Sequence, residues 1–164
     1  MNRIACTHYN DADEKVILKA SSLGMPLIGG TALEVLADYY HVPCIRKRSE
    51  NDLDFSSTSE VAIKNFKSWV VANTDPDKVK VDIYSIPHLK IPFELKLNIK
   101  GVLVMSPIYL IWSKLQRAND KDIKDIIWLL TLVTPEDLEE WLSRLGVTDG
   151  EIELINDIIS GEYD

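Results

Sequence analysis

Residues 27–32 have the sequence Leu-Ile-Gly-Gly-Thr-Ala, and residues 51–55 have the sequence Asn-Asp-Leu-Asp-Phe. The first segment is a short apolar run that ends at two glycines, and from Thr31 onward apolar residues recur at helical spacing. The second segment opens a stretch, Asp52 to Ser56, in which charged and apolar residues alternate with the period of a half-buried strand. Together they predict a strand, a glycine turn, a helix and a second strand, in that order.

Three aspartates in this pattern are candidate metal ligands. Alternate residues of a strand project from one face about 6.6 Å apart, so Asp52 and Asp54 are expected to point the same way. A third acid, Asp82, lies between Val81 and Ile83 in another predicted strand. Neighbouring carboxylates repel one another, and hard oxygen ligands suit magnesium. Three of them on adjacent strands predict a site for two Mg²⁺ (or Mn²⁺) ions, as used for in-line displacement at phosphorus.

The Gly29-Gly30 pair is the candidate phosphate-binding turn. Glycine lets backbone N–H groups approach a triphosphate, the start of a helix favours an anion there, and Thr31 adds a hydroxyl. Each feature alone has a structural explanation: a tight turn for Gly-Gly, a solvated strand edge for the Asp-x-Asp pair, and a surface acid for Asp82. Metal-dependent nucleotidyl transfer needs all of these parts, and in this chain they occur in order.

The rest of the first 105 residues predicts a mixed α/β (α+β) core. Its expected architecture is a small mixed sheet with flanking helices. Asp11 and Asp13 are candidate caps for the first helix, and Val61 and Phe66 are candidate core residues of a later one. The expected elements are helices over residues 11–23 and 59–72 and strands over residues 79–86, 93–99 and 102–105, the last two joined around Gly101.

Residues 106–164 predict a C-terminal helical region that packs on this core. Ser106 and Pro107 form a favourable cap and first helical position. Thr134 and Thr148 each precede an acid by three residues, which is the spacing of a capping box. We therefore expect at least three helix starts in this region.

Composition limits the classes of function. The chain has 164 residues, 18 basic and 26 acidic, which gives a formal net charge of −8. An anionic surface repels phosphate backbones, so broad nonspecific DNA binding is not expected. The candidates for a local basic groove are the basic cluster at residues 46–48 and the later helix that carries Lys114, Arg117, Lys121 and Lys124. Two cysteines without metal-ligand spacing, no apolar leader and no apolar run of ~20 residues predict a cytoplasmic protein that does not enter a membrane.

These motifs resemble the nucleotidyltransferases related to DNA polymerase β. That superfamily combines an apolar residue and Gly-Gly with an Asp-x-Asp pair between apolar residues and a third acid on a later strand. Residues 28–30, 52–55 and 81–83 are similar to these three parts. The resemblance implies the nucleotidyltransferase fold, with Asp52, Asp54 and Asp82 as metal ligands and Asp82 completing the site or acting as base.

A closer resemblance is to the AbiEii-like (MenT-like) branch, whose members are toxins of bacterial toxin–antitoxin and phage-defence systems. Residues 29–32 and 48–55 look like its Gly-Gly-Thr-Ala and acidic motifs, and residues 114–125 look like its helical segment with a lysine and two aspartates. By this resemblance Lys114 contacts the triphosphate, and Asp122 and Asp125 border the nucleotide or acceptor pocket, unless they are structural partners of neighbouring basic residues. The implied nucleotide-binding residues are Gly29, Gly30, Thr31, Arg48, Lys114, Asp122 and Asp125.

The resemblance implies an enzyme that transfers an NMP from an NTP such as ATP to an acceptor hydroxyl. An RNA 3′ end, such as that of tRNA, is the leading acceptor, and an antitoxin protein is an expected partner. A small-molecule acceptor, as in antibiotic-modifying members of the superfamily, and nucleotidylation of a protein are alternatives. A noncatalytic relative that acts by binding a partner is a further alternative, which the presence of all three carboxylates disfavours.

Overall fold

The computed structural model describes residues 10–45, 52–85 and 95–161. The chain divides into two compact units, Met1–Met105 and Ser106–Asp164. Within the described ranges there are seven helices and one five-stranded sheet. The predicted mixed α/β class, with a small mixed sheet flanked by helices, is therefore confirmed. Over the same ranges, no helix combines the length and the apolar character needed to cross a membrane.

The first unit contains the sheet, and its strand order is β3-β2-β1-β5-β4. Strand β1 pairs antiparallel with β2 and parallel with β5, β2 pairs parallel with β3, and β4 pairs antiparallel with β5. The elements in chain order are α1 (Asp11–Ser22), β1 (Leu27–Ile28), α2 (Gly29–Tyr40), β2 (Asp52–Ser57), α3 (Glu60–Asn73), β3 (Lys80–Ser85), β4 (Lys96–Ile99) and β5 (Val102–Met105).

The predicted hairpin around Gly101 is confirmed. Ile99 pairs with Val102, so the loop contains only Lys100 and Gly101, with φ angles of 51° and 87°. Two positive φ angles in a two-residue loop match the right-handed twist of the flanking strands. The Asn98 side chain accepts a hydrogen bond from the Gly101 N–H at 3.0 Å and holds the turn closed.

The sheet buries its apolar face as the alternation in residues 52–55 predicts. Leu53 and Phe55 are fully buried, and the Phe55 ring packs edge-on against Phe66 of α3, with 5.3 Å between ring centroids. Phe66 is thus a core residue, as predicted. The predicted burial of Val61 is wrong, because its side chain is 71% exposed. Five positions before Phe66 is about 1.4 helical turns, which places Val61 on a different face of α3.

The first helix is capped by a residue that the sequence analysis missed. Asn10, and neither Asp11 nor Asp13, is the N-cap of α1. Its side chain accepts the Asp13 N–H at 2.9 Å, and the Asp13 carboxylate accepts the Asn10 N–H at 3.1 Å. Asp13 therefore completes a capping box from the third helical position instead of capping the helix itself.

The second unit is wholly helical over its described residues, as predicted. Three of its four helices begin where the sequence places them, with Ser106, Thr134 and Thr148 as caps, whereas a fourth, capped by Asn119, was not predicted. At Thr148 both bonds of the expected capping box form with Glu151. Burial raises the pKa of Glu151, but hydrogen bonds to its carboxylate from the Thr148 N–H, the Thr148 hydroxyl and the Gln116 amide outweigh burial, so the pKa is lowered. The elements are α4 (Pro107–Leu115), α5 (Asp120–Leu130), α6 (Pro135–Leu145) and α7 (Asp149–Ser160).

Candidate functional site

The glycine turn lies directly against one of the candidate metal ligands. Ile28, the last residue of β1, is the antiparallel partner of Asp54 on β2. Gly29 follows with a φ of 73°, a conformation that residues with a Cβ rarely adopt. A Cβ added at Gly29 would collide with the Asp54 carboxylate oxygen and lie 3.1 Å from the Asp54 Cβ and Cγ. The backbone at Gly29 thus approaches the Asp54 carboxylate more closely than any other residue type would allow.

Helix α2 begins at this turn without a side-chain cap. It starts at Gly29, two residues before the predicted start, and its N-cap is Ile28, which has no polar side-chain atom. In the described parts of the chain, every other helix has a capping side chain. The first N–H groups of a helix have no intrahelical acceptor, and those of α2 receive none from a cap. The amino end of α2 is therefore suited to bind an anion.

The three aspartates share one face of the sheet. Asp54 and Asp82 are register partners on the parallel strands β2 and β3, so their Cα atoms are separated by about one strand spacing, ~4.8 Å. Asp52 is two residues before Asp54 on the same strand and projects to the same side. Asp52 and Asp54 are half-buried, whereas Asp82 is exposed on the edge strand. The register thus brings together the three acids that the sequence pattern selected.

Asp52 carries a carboxylate oxygen that has no hydrogen-bond partner among the described residues. Its Oδ1 atom is buried and accepts no hydrogen bond from the described residues. A buried carboxylate oxygen without a donor or a cation is costly. The backbone carbonyl of Asp52, by contrast, accepts a hydrogen bond from the Thr31 hydroxyl at 3.4 Å. Thr31 is 1% exposed, and this contact ties the first turn of α2 to the start of β2.

The carboxylates do not form a preassembled metal cage in this structure. Over the described residues, no group of three or more histidine, cysteine or acidic side chains is arranged to hold a metal ion. The buried Oδ1 of Asp52 and the register pair of Asp54 and Asp82 are nevertheless the hard oxygen donors that magnesium prefers. The metal site stays a prediction, with these three side chains as its ligands.

Two lysines on the face of the sheet that carries the carboxylates were missed by the sequence analysis. Lys80 is the register partner of Asp52, so it lies on the face that carries the aspartates. Lys80 is two residues before Asp82, and because alternate residues of a strand share a face, the sequence could have predicted this placement. Lys96 lies on the same face but three strands from Asp54, because Ile28 neighbours Met105, which pairs with Lys96. Partial burial lowers the pKa of Lys96.

Lys114 and Asp125 form a buried ion pair within the second unit. The Lys114 Nζ atom lies 2.9 Å from Asp125 Oδ2, and the two side chains are 4% and 2% exposed. An ammonium and a carboxylate at this depth require one another, since either alone would be an uncompensated buried charge. The predicted roles of Lys114 at a triphosphate and of Asp125 beside a nucleotide stay predictions.

The contacts of Asp122 fit the structural role that the sequence left open as an alternative to a place beside the nucleotide. Its carboxylate accepts two hydrogen bonds from the Arg117 guanidinium, at 2.9 and 3.3 Å. It also forms the capping box of α5 with Asn119. Its predicted place beside the nucleotide stays a prediction, and Arg48, another predicted nucleotide contact, lies outside the described residues.

A groove opens at the β3 edge of the sheet, where α3 ends. Its volume is about 530 Å³. One wall comes from the end of α3 and the loop that follows, and the other from the first residues of β2 and β3. The residues that line it are Asp52, Val70, Val71, Thr74, Pro76, Val79, Lys80, Val81 and Asp82.

Replacing Gly29 with alanine is expected to destabilise the protein and reduce its activity. The positive φ angle costs roughly 1–2 kcal/mol for a residue with a Cβ. The collision with Asp54 adds to this cost and displaces the carboxylate, and a displacement of about 1 Å at a reacting centre lowers a rate by roughly 10²-fold.

Gly24→Ala is the matched control for Gly29→Ala. Gly24 has a φ of 72°, but a Cβ added there meets no atom within 4 Å. The control therefore carries the backbone strain without the collision. Thermal unfolding and NTP turnover of both variants separate the two effects, and equal activity of the two variants would contradict a role for the Gly29–Asp54 contact.

Comparisons with known proteins gave no assignment of family. A scan of the sequence against protein-family models produced no match, and a search of curated proteins produced none either. The function proposed below therefore depends on the resemblance in the motifs and on the contacts described above.

Proposed function

We propose that this chain is a metal-dependent nucleotidyltransferase that moves an NMP from an NTP to an acceptor hydroxyl, on a nucleotidyltransferase fold of the AbiEii-like type. The observation that carries the proposal is the position of Asp54. It lies between Asp82, its register partner on β3, and Gly29, the first residue of an uncapped helix. A carboxylate pair next to an anion-binding helix end brings together a metal-binding group and a phosphate-binding group.

The amino end of α2 binds the triphosphate in this proposal. Gly29 and Gly30 present backbone N–H groups without side chains that would hold a phosphate away. The positive end of the helix dipole stabilises the anion and the pyrophosphate that leaves. Thr31 acts indirectly, since its buried hydroxyl fixes the first turn of α2 to the Asp52 carbonyl.

Asp52, Asp54 and Asp82 hold Mg²⁺ or Mn²⁺, and the buried Oδ1 of Asp52 gains the partner that the described residues do not give it. When bound, the metal ions supply charge neutralisation at the phosphates and at the acceptor oxygen. In the transfer, the acceptor oxygen forms a bond to the α-phosphorus, and the bond from that phosphorus to the bridging oxygen breaks. Asp82, the exposed member of the three, accepts the proton of the acceptor hydroxyl.

The test is transfer of label from each α-labelled NTP, with magnesium, into total RNA, protein and small-molecule pools. Wild type is compared with Asp52→Ala. We expect label in one pool with wild type alone, together with an NTP-dependent rise in melting temperature that grows with ligand excess. Equal transfer by both proteins would refute the assignment. No label in any pool and no NTP-dependent shift would favour a noncatalytic binding protein.

A further inference from the structure

Strand β3 is an outer strand of the sheet, and its free edge has no partner strand among the described residues. The six residues of β3 pair in regular register with β2, from Lys80 with Asp52 to Ser85 with Ser57, so the strand runs without a bulge. The side chains of Lys80 and Asp82 are exposed. A regular, exposed edge presents a row of backbone N–H and C=O groups, which is a template for a further strand.

The two faces of this edge differ in chemistry. Lys80 and Asp82 lie on the face that carries the candidate metal ligands. Val81 and Ile83, and Val79 just before the strand, alternate with them and lie on the apolar face of the sheet. A strand that adds to this edge must therefore match charged groups on one face and aliphatic groups on the other.

Helix α3 leaves the apolar side of the edge partly uncovered. Of its 14 residues, Phe66 alone is buried. Val71, near the end of the helix, is 83% exposed and lines the groove at the β3 edge together with Val70 and Val81. Burial of these aliphatic groups against a partner would remove them from water and so favour association.

A second copy of this chain matches both faces of the edge. In a symmetric antiparallel pair of β3 strands, opposed residues share a face, so the two-fold axis passes between one residue and its equivalent. An axis at Lys80 or at Asp82 opposes like charges, whereas an axis at Val81 opposes each Lys80 to the partner's Asp82. The same register opposes Val81 to the partner's Val81 and Val79 to the partner's Ile83.

We propose that the β3 edge is a dimer interface between two copies of this chain, with the two-fold axis at Val81. The two sheets then form one continuous sheet, with opposite charges paired across the interface on one face and aliphatic groups paired on the other. Each protomer places its Lys80 beside the partner's Asp82, so the partner contributes a cation to the face that carries the candidate metal ligands. This assembly goes beyond nucleotidyl transfer and does not depend on it.

A cysteine at the axis tests the register directly. In a background that lacks the two native cysteines, Cys6→Ser and Cys44→Ser, Val81→Cys should form an intermolecular disulfide, since opposed Cβ atoms lie within reach of one. Ile83→Cys is the matched control, because Ile83 is half-buried on the same face. In the proposed register it lies four residues along the strand from its equivalent, roughly 13 Å. A disulfide through Ile83→Cys and none through Val81→Cys on non-reducing electrophoresis would overturn the register.

Sedimentation of the wild-type chain and of charge-reversal variants tests the interface in solution. We expect the wild type to approach twice the monomer mass of 18.6 kDa as its concentration rises. Lys80→Glu makes both charged pairs repulsive and should raise the dissociation constant at least about 10-fold. Adding Asp82→Lys restores opposite charges and should restore the dimer, which a merely structural effect of either substitution would not do. Lys100→Glu makes the same change of charge in the exposed β4–β5 turn and should leave the constant unchanged.

Two results would overturn the dimer proposal. A wild type that stays monomeric at every concentration would leave the edge to a strand of another protein. Dimers that Lys80→Glu does not weaken, or that the added Asp82→Lys does not restore, would place the interface elsewhere on the chain. Both readouts are independent of catalysis, so absence of metal-dependent transfer refutes the nucleotidyltransferase function and leaves the interface in place.

Discussion

Asp52→Asn is expected to stabilise the metal-free protein and to reduce nucleotidyl transfer at least about 10³-fold. The substitution removes a carboxylate whose Oδ1 is buried without a partner among the described residues. Relief of that buried charge is worth roughly 1 kcal/mol, which raises the melting temperature by about 2–4 °C for a chain of this size. Transfer falls because a metal ligand is lost, and a 10³-fold loss corresponds to about 4 kcal/mol of transition-state stabilisation.

The measurement is thermal unfolding with and without magnesium, beside the rate of label transfer. Magnesium should stabilise wild type and leave Asp52→Asn unchanged, since binding to the folded state is what raises stability. Asp77→Asn is the control, because it removes the same charge from an exposed loop position. A destabilised but active Asp52→Asn protein would show that Asp52 is a structural residue.

Lys114→Met is expected to destabilise the protein by about 3–5 kcal/mol, because it leaves the Asp125 carboxylate buried without its cation. Adding Asp125→Leu should recover most of this loss, since well-packed apolar residues replace a buried ion pair at little cost. Lys124→Met removes a lysine from an exposed position of α5 and should be close to neutral. Urea unfolding of the three variants measures these differences.

The double variant also separates stability from catalysis. If Lys114 contacts the triphosphate, Lys114→Met/Asp125→Leu folds but has a raised KM for NTP. An unchanged KM in the stable double variant would remove Lys114 from the nucleotide site. The single variant cannot decide this, because unfolding alone would reduce its activity.

Local patterns were enough to predict much of the first unit. The alternation in residues 52–55 predicted which side chains face the core, and Gly101 predicted the hairpin. The start of α2 was placed two residues late, because Gly29 already takes part in the helix while keeping a positive φ. Asn10 was missed because three polar residues lie close together, Asn10, Asp11 and Asp13, and each could cap α1, so only the geometry of the turn selects one.

The rest of the site depends on pairings that local periodicity does not contain. The register of β2 with β3 places Asp82 beside Asp54 and Lys80 beside Asp52, and a shift of one residue would move both to the other face. The position of Lys96 on the same face is determined by two successive strand pairings, that of β1 with β5 and that of β5 with β4. Lys114 and Asp125 are eleven residues apart in sequence, and their ion pair joins two helices. Both are charged residue types that are usually exposed, so the sequence does not predict their burial.

Strand β1 contains only Leu27 and Ile28, and it is the central strand of the sheet. The carboxylate-bearing strands β2 and β3 lie on one side of β1, and the hairpin of β4 and β5 lies on the other. Within the sheet, the two sides are therefore joined only through the backbone hydrogen bonds of this two-residue strand. A single register pair, Leu27 with Val104, connects β1 to the hairpin. Few backbone hydrogen bonds therefore join the two sides of the sheet, so the packing of α1 and α2, which contact both β2 and β5, holds them together.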